Sequence, residues 1–202
     1  AAGWLAAKLD QVDSVRIFNG STPDRGDSLS APYAIQTILD EISQPAMVFR
    51  EGRFQERPPL SEEEHHHFPE PIGWANTHLS LHSEVATIPL SFADKGIQEC
   101  AFKISFFGYS EAALRKLQFL AEIGLASTET VELNGASVRP RDLLVKLLSR
   151  LPGGEAESSI EGYKAVVTEI KGRIGARQVE LRVETIGGPS AASGAASRPP
   201  RR

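Results

Sequence analysis

Residues 97–124 read IQECAFKISFFGYSEAALRKLQFLAEIG. The first half alternates. Cys100, Phe102, Ile104 and Phe106 fall on one side and Ala101, Lys103 and Ser105 on the other, the two-residue period of a strand with one face on a core. Ser110 then stands at a helix N-cap, with Glu111 in the first turn beside the positive end of the helix dipole. Leu114, Leu117, Leu120 and Ile123 recur at helical spacing, facing inward, up to a stop at Gly124. A strand that feeds an amphipathic helix implies a sheet with helices laid on it.

The same alphabet continues on both sides. Downstream, Asn134-Gly135 marks a tight turn. Pro140 opens a second helix carrying Leu143, Leu144, Leu147, Leu148 and Leu151, ended by Pro152-Gly153-Gly154. Both leucine faces read as core, buried against the sheet. Strands at about 161–170 and 178–186 form a hairpin across Lys171–Ala176, and GGPSAASGAASRPPRR, from Gly187, reads as a disordered tail. Upstream, Val12–Asn19 is a strand, Gly20–Ser30 a loop, and Ile35, Ile38, Leu39 and Ile42 line a helix ended by Gln44-Pro45. Ala46–Phe49 and Phe54–Glu56 flank the turn Glu51-Gly52. Residues 61–73 read as a polar surface excursion, and Trp74–Leu81 as a strand ending at His82-Ser83-Glu84. The fold class is α+β: a mixed, largely antiparallel sheet with helices packed on one face.

Composition excludes several functions. With 41% hydrophobic residues in 202, the chain can bury one real core. A net charge of −4 argues against nucleic acid as a partner, since phosphates need a basic stripe. No apolar run approaches the roughly 20 residues that span a bilayer, and AAGWLAAKLDQVDS lacks the basic start and apolar stretch of a signal peptide. Cys100 is the single cysteine, which rules out an intrachain disulfide or a cysteine-cluster zinc site and fits a cytoplasmic setting.

Three segments carry a likeness that pattern alone does not: GWLAAKLDQVDSVRIFNG at 3–20, SAPYAIQTILDEISQPAMVFREGRFQERPPL at 30–60, and FPEPIG at 68–73 with LHSEVATIPLSF at 81–92. Together they resemble the carboxy-terminal domain of the saccharopine dehydrogenase-like oxidoreductases. The resemblance implies residues 1–11 as the remnant of an upstream dinucleotide-binding domain, 12–186 as the domain itself and 187–202 as a tail. It implies that the absent Rossmann domain holds NAD or NADP, while this domain binds an amino-acid substrate such as saccharopine or lysine and forms a homodimer. Hydride transfer would take place at the substrate's amine carbon. This chain has no G-x-G-x-x-G loop to cradle a pyrophosphate, so alone it is expected to bind no cofactor and to be inactive. The rival reading is a binding or assembly module without redox chemistry.

His82 and Glu84 are candidate substrate contacts, the imidazole shuttling an amine proton or orienting a carboxylate and Glu84 meeting an ammonium. The alternative is a structural turn in which Glu84 caps the following segment. Ser30 and Tyr33, at the amino end of the helix from Pro32, could receive a carboxylate on free N–H groups with Arg25 and Asn19 nearby; a plain cap after a loop is the alternative. No catalytic residue is assigned. His65, His66 and His67 alternate in direction on an extended segment, so at most two could share an ion, and no metal is assigned. Finally, the apolar face of 97–107 exceeds what two helices cover, which suggests a two-fold dimer closing the sheet.

Overall fold

The computed structural model describes residues 1–22, 29, 35–106, 109–151 and 162–188. Their elements run α1 (Ala2–Ala6), β1 (Gln11–Ser21), α2 (Ile35–Ser43), β2 (Ala46–Arg50), β3 (Arg53–Arg57), β4 (Glu64–His67), β5 (Trp74–Leu79), α3 (Ser83–Ser91), β6 (Glu99–Ile104), α4 (Glu111–Glu122), β7 (Val131–Leu133), β8 (Ala136–Val138), α5 (Pro140–Leu148), β9 (Lys164–Ile174) and β10 (Arg177–Gly187). The main sheet is ordered β10-β9-β1-β6-β2-β3, and the β4–β5 hairpin joins through β5 on β6. β1 and β6 run parallel, Val15 opposite Cys100 and Ile17 opposite Phe102. The other described pairings are antiparallel. The free edge of β6 is shared: Phe49 of β2 faces Cys100, while His78 and Leu79 of β5 face Ile104 and Lys103.

One face of this sheet carries Val15, Ile17, Cys100, Phe102, Ile104 and Ile170, all buried in a single cluster with Leu5 of α1, Ile38, Leu39 and Ile42 of α2, Val85 of α3, Leu114 and Leu117 of α4, and Leu144 and Leu148 of α5. Each such aliphatic or aromatic side chain contributes roughly 1.5–3 kcal/mol on burial. Among the described residues the alternation in 97–107 is therefore satisfied inside the chain, and the apolar side chains that its strands expose lie elsewhere, at Val166 and Ile174 of β9 and Ile186 of β10. The opposite face is polar at its centre, with Arg16, Lys103 and Glu64 in contact, and apolar where Phe18, Phe68, Ala165 and Val167 meet and where Ala46, Val48 and Leu79 pack with Ala101.

Several sequence expectations need correction. Glu64–His67 is extended, as its alternating histidines imply, but it is no solvated excursion: it pairs with β5, His66 opposite Ala75, and buries His66 against the sheet. A run of charged and imidazole side chains carries no apolar alternation, so only the tertiary partner reveals the burial. The strand from Trp74 stops at Leu79, and Ser83–Ser91 forms a helix that its β-branched residues and Pro89 disguise. Ile123, Leu143, Leu147 and Leu151 are exposed, because only the Leu144 and Leu148 side of α5 and the Leu114 and Leu117 side of α4 reach the sheet. Residues 1–11 pack on this domain: Leu5 and Leu9 are buried, and the Asp10 N–H donates to the Arg173 carbonyl.

Turn chemistry behaves as read. Ser110 caps α4, its hydroxyl accepting from the Ala113 N–H at 3.1 Å. Asn134 and Gly135 take φ of 53° and 79°, the pair of left-handed positions that a two-residue hairpin between β7 and β8 requires. The final hairpin is longer than the sequence suggests, because β9 and β10 pair continuously from Lys164 opposite Gly187 to Ile174 opposite Arg177.

Candidate functional site

The two parallel strands create an opening where they end. Beyond Ile104 the Ser105 N–H still donates to the Asn19 carbonyl at 2.9 Å. Past that bond the chains part. β1 continues to Ser21, paired with Lys164 of β9, while Phe106 adopts φ 48° and the chain leaves the sheet toward α4. Beyond the carboxyl ends of adjacent parallel strands is where sheets of this kind offer a crevice. Here it is a cleft of ≈420 Å³ floored by Ser21, Thr22 and Ser105 and walled by Trp74, Asn76 and Glu111, among others.

The floor is polar and unsatisfied. Ser21 is only 9% exposed, and its hydroxyl has no hydrogen-bond partner. The Ser105 hydroxyl and the adjacent Asn19 Oδ1 are likewise buried and unpartnered. A buried polar atom left unpaired costs about 1–3 kcal/mol, so such groups side by side mark a place where something polar belongs.

One wall is the start of α4. Glu111 Oε1 lies 2.9 Å from Nε2 of buried His78, whose Nδ1 is 3.2 Å from the Leu60 carbonyl oxygen. The imidazole thus fixes the carboxylate from behind, and the Glu111 side chain remains 41% exposed. At the rim Trp74 lies between His65 and His67, with ring centroids 5.0 Å from each, and is 63% exposed. His66 points to the other side, where its ring stacks on Phe18. The three histidines therefore diverge as alternation on a strand demands.

A second hollow of ≈330 Å³ lies on the polar sheet face. Its charges are consumed by one another. Arg16 and Lys103 both donate to Glu64, Lys103 donates also to the Glu62 carbonyl at 2.6 Å, and Arg50 pairs with Glu62. Burial alone would raise the Glu64 carboxyl, but hydrogen bonds from Arg16 and Lys103 hold it below the ordinary range. This network ties β4 to β1 and β6 and is structural.

Of the residues singled out from sequence, Asn19 sits beside the cleft floor, while Arg25, Ser30 and Tyr33 lie outside the described residues. His82 and Glu84 are at the start of α3, paired with each other through Nδ1, and neither lines the cleft. The His82 ring stacks on buried Phe102 with centroids 3.8 Å apart, a packing contact. Glu84 does not cap the following helix, whose N-cap is His82 and which has no side-chain cap. Ser21, Ser105, His78 and Glu111 went unnoticed as site residues. Glu111 had a sufficient explanation as a helix-start acid, and a serine at a strand end carries no signal until the neighbouring strand is known.

The chain is similar, in sequence and in fold, to saccharopine dehydrogenase-like oxidoreductases. Over 168 residues, 83% of this chain, it is 24% identical to a carboxyaminopropylagmatine dehydrogenase of Synechocystis sp.. In fold it matches apo saccharopine dehydrogenase (L-Glu forming) from Saccharomyces cerevisiae with a TM-score of 0.54 at 10% identity, over 90% of this chain. The matched region is 40% of the first protein and 55% of the second, so the chain spans about half the length of these relatives or less. No protein-family model matches it.

Proposed function

We propose that this chain is the substrate-binding and dimerisation domain of an NAD(P)-dependent oxidoreductase acting at the amine carbon of an amino acid such as saccharopine or lysine. The observation that carries the reading is the cleft at the ends of β1 and β6, polar and unsatisfied, in a domain whose sequence and fold resemble those of dehydrogenases.

The residues present do not fit the dinucleotide itself. A pyrophosphate needs backbone N–H groups of a glycine loop or cationic side chains. The cleft offers neither lysine nor arginine among its described residues, and Glu111 would repel phosphate. The cofactor accordingly belongs to a separate dinucleotide-binding domain, and this domain's part is to bind and orient the substrate. Among the described residues no helix is long and apolar enough to cross a membrane, and the proposal places the enzyme in the cytoplasm. For self-association, apolar side chains are exposed on the outer sides of α4 and α5, at Phe119, Ile123, Leu143 and Leu147, and on the β9–β10 hairpin, at Val166, Ile174 and Ile186.

The test is turnover by the chain joined to a dinucleotide-binding domain in one polypeptide. Amino-acid-dependent change in nicotinamide absorbance is expected with one of the two cofactors. Its absence with saccharopine, lysine and related amines would favour the rival, an assembly module of the same fold.

A further inference from the structure

We infer that the cleft between β1, β6 and α4 recognises a cationic nitrogen group, a primary ammonium or a guanidinium, and not a carboxylate or phosphate. The inference rests on the reading of this cleft as the substrate-facing one and names the part of the ligand that enters it.

The buried, unpartnered atoms of the lining are two hydroxyl oxygens, Ser21 Oγ and Ser105 Oγ. A hydroxyl accepts from an N–H donor as well as donating, so both can serve a cationic nitrogen but do not by themselves choose the sign of the charge. An ammonium has three donors and a guanidinium five. The described lining contains no lysine or arginine to balance an anion, while the Glu111 carboxylate is present and held in place by the Nε2–Oε1 contact with His78 at 2.9 Å. Removing an ammonium from water into a partly enclosed site is tolerable only against such a counter-charge. Trp74 at the rim adds an exposed indole face, which attracts cations through its quadrupole and does nothing for anions. Carboxylate and aromatic face select the same sign of charge, and the two hydroxyl oxygens can accept from it.

The experiment is an NMR chemical-shift titration of the 202-residue chain with n-butylammonium, n-butylguanidinium, n-butanol and butyrate. The two cations are expected to saturate, shifting the amides of Ser21, Ser105 and Glu111, while butyrate leaves them unmoved. Glu111→Gln keeps the shape and removes the charge, and should weaken cation binding by roughly tenfold or more, as expected for a charge-assisted contact. Saturable butyrate binding at those amides, failure of both cations to saturate, or cation affinity unchanged in E111Q would each overturn the inference. If E111Q proves unfolded by circular dichroism, the Ser21→Ala/Ser105→Ala variant decides. A several-fold loss of cation affinity supports the inference, and unchanged affinity overturns it. Turnover with a nicotinamide cofactor depends on a second domain and these titrations do not, so either result can fail without the other.

Discussion

His66 lies face to face on Phe18, ring centroids 3.7 Å apart with 9° between the planes. The stack closes the helix-free side of the sheet, with Phe68 set edge-on against the same imidazole at 5.0 Å. Burial is the main reason that the imidazole is held down to about 4 from its ordinary 6.5, and the positive charge of Arg182 adds to it.

The first prediction follows from that shift. Between pH 6.5 and about 4 the unfolded chain takes up a proton at His66 that the folded chain refuses. Stability is therefore full above pH 6.5 and falls as pH drops toward 4. Glu64, held below its ordinary range, adds loss of the same sign at the acid end of the window. Melting temperature measured from pH 7.5 down to 4.5 should decline, and His66→Phe should flatten the slope above pH 5. An unchanged slope in that variant would remove His66 from the account.

Lys103 is the second test. Its ammonium is 9% exposed and lies 2.8 Å from Glu64 and 2.6 Å from the Glu62 carbonyl. Truncating it takes one of two cations from Glu64, which keeps Arg16, and leaves the Glu62 carbonyl without its donor, so Lys103→Ala should cost about 1–3 kcal/mol. Urea denaturation would show it as a lower midpoint. A cost below about 0.5 kcal/mol would mean that the network behaves like an ordinary surface pair.

A third concerns the edge of β9. A Cβ on Gly172 would sit 2.1 Å from the Gln11 carbonyl oxygen, where β1 bulges between Val12 and Ser14. Backbone cannot yield as a side chain tip can, so Gly172→Ala should destabilise by about 2 kcal/mol or more. A melting temperature within a degree or two of the parent's would show that the bulge relaxes freely.

His82 supplies the fourth. Its ring stacks on Phe102, so His82→Ala should lower the melting temperature by several degrees, as loss of an aromatic contact worth about 1 kcal/mol would. In the enzyme joined to its dinucleotide-binding domain the same variant should retain most of its kcat/KM. A collapse of turnover with an unchanged melting temperature would restore His82 to the substrate site.

The last is cofactor binding. Calorimetric titration of the chain alone with NADH or NADPH should show no saturable heat, because the sequence has no G-x-G-x-x-G loop and the described lining of the cleft has no lysine or arginine for the pyrophosphate. A micromolar dissociation constant would contradict it.

What could be read from the sequence was whatever local chemistry dictates. The Cys100–Phe106 alternation, the Ser110 cap and the Asn134-Gly135 turn each depend on neighbours in the chain, and each matches the structure. What escaped depends on partners distant in sequence. Glu64–His67 reads as extended, but nothing in it says that one face is buried until Phe18 offers a surface for His66 and Lys103 offers a counter-charge for Glu64. The exposed Leu143 and Leu147 look like core because an apolar spacing cannot say how wide a stripe the neighbouring sheet will cover. The cleft escaped for the same reason: Ser21 and Ser105 become neighbours only once β1 and β6 lie side by side.

That placement of β1 has a kinetic side. Asn19 is opposite Ile104 on one flank and Val166 on the other, so the strand is completed by two partners that both lie far downstream of it in the chain. Such high contact order makes for slow folding, since two long loops must close before the central strand gains its pairings. On the ribosome, β1 would emerge long before β9, leaving Val12, Val15, Ile17 and Phe18 uncovered in the nascent chain. A chaperone that masks early hydrophobic strands should raise the yield of this domain more than that of a helical protein of equal size.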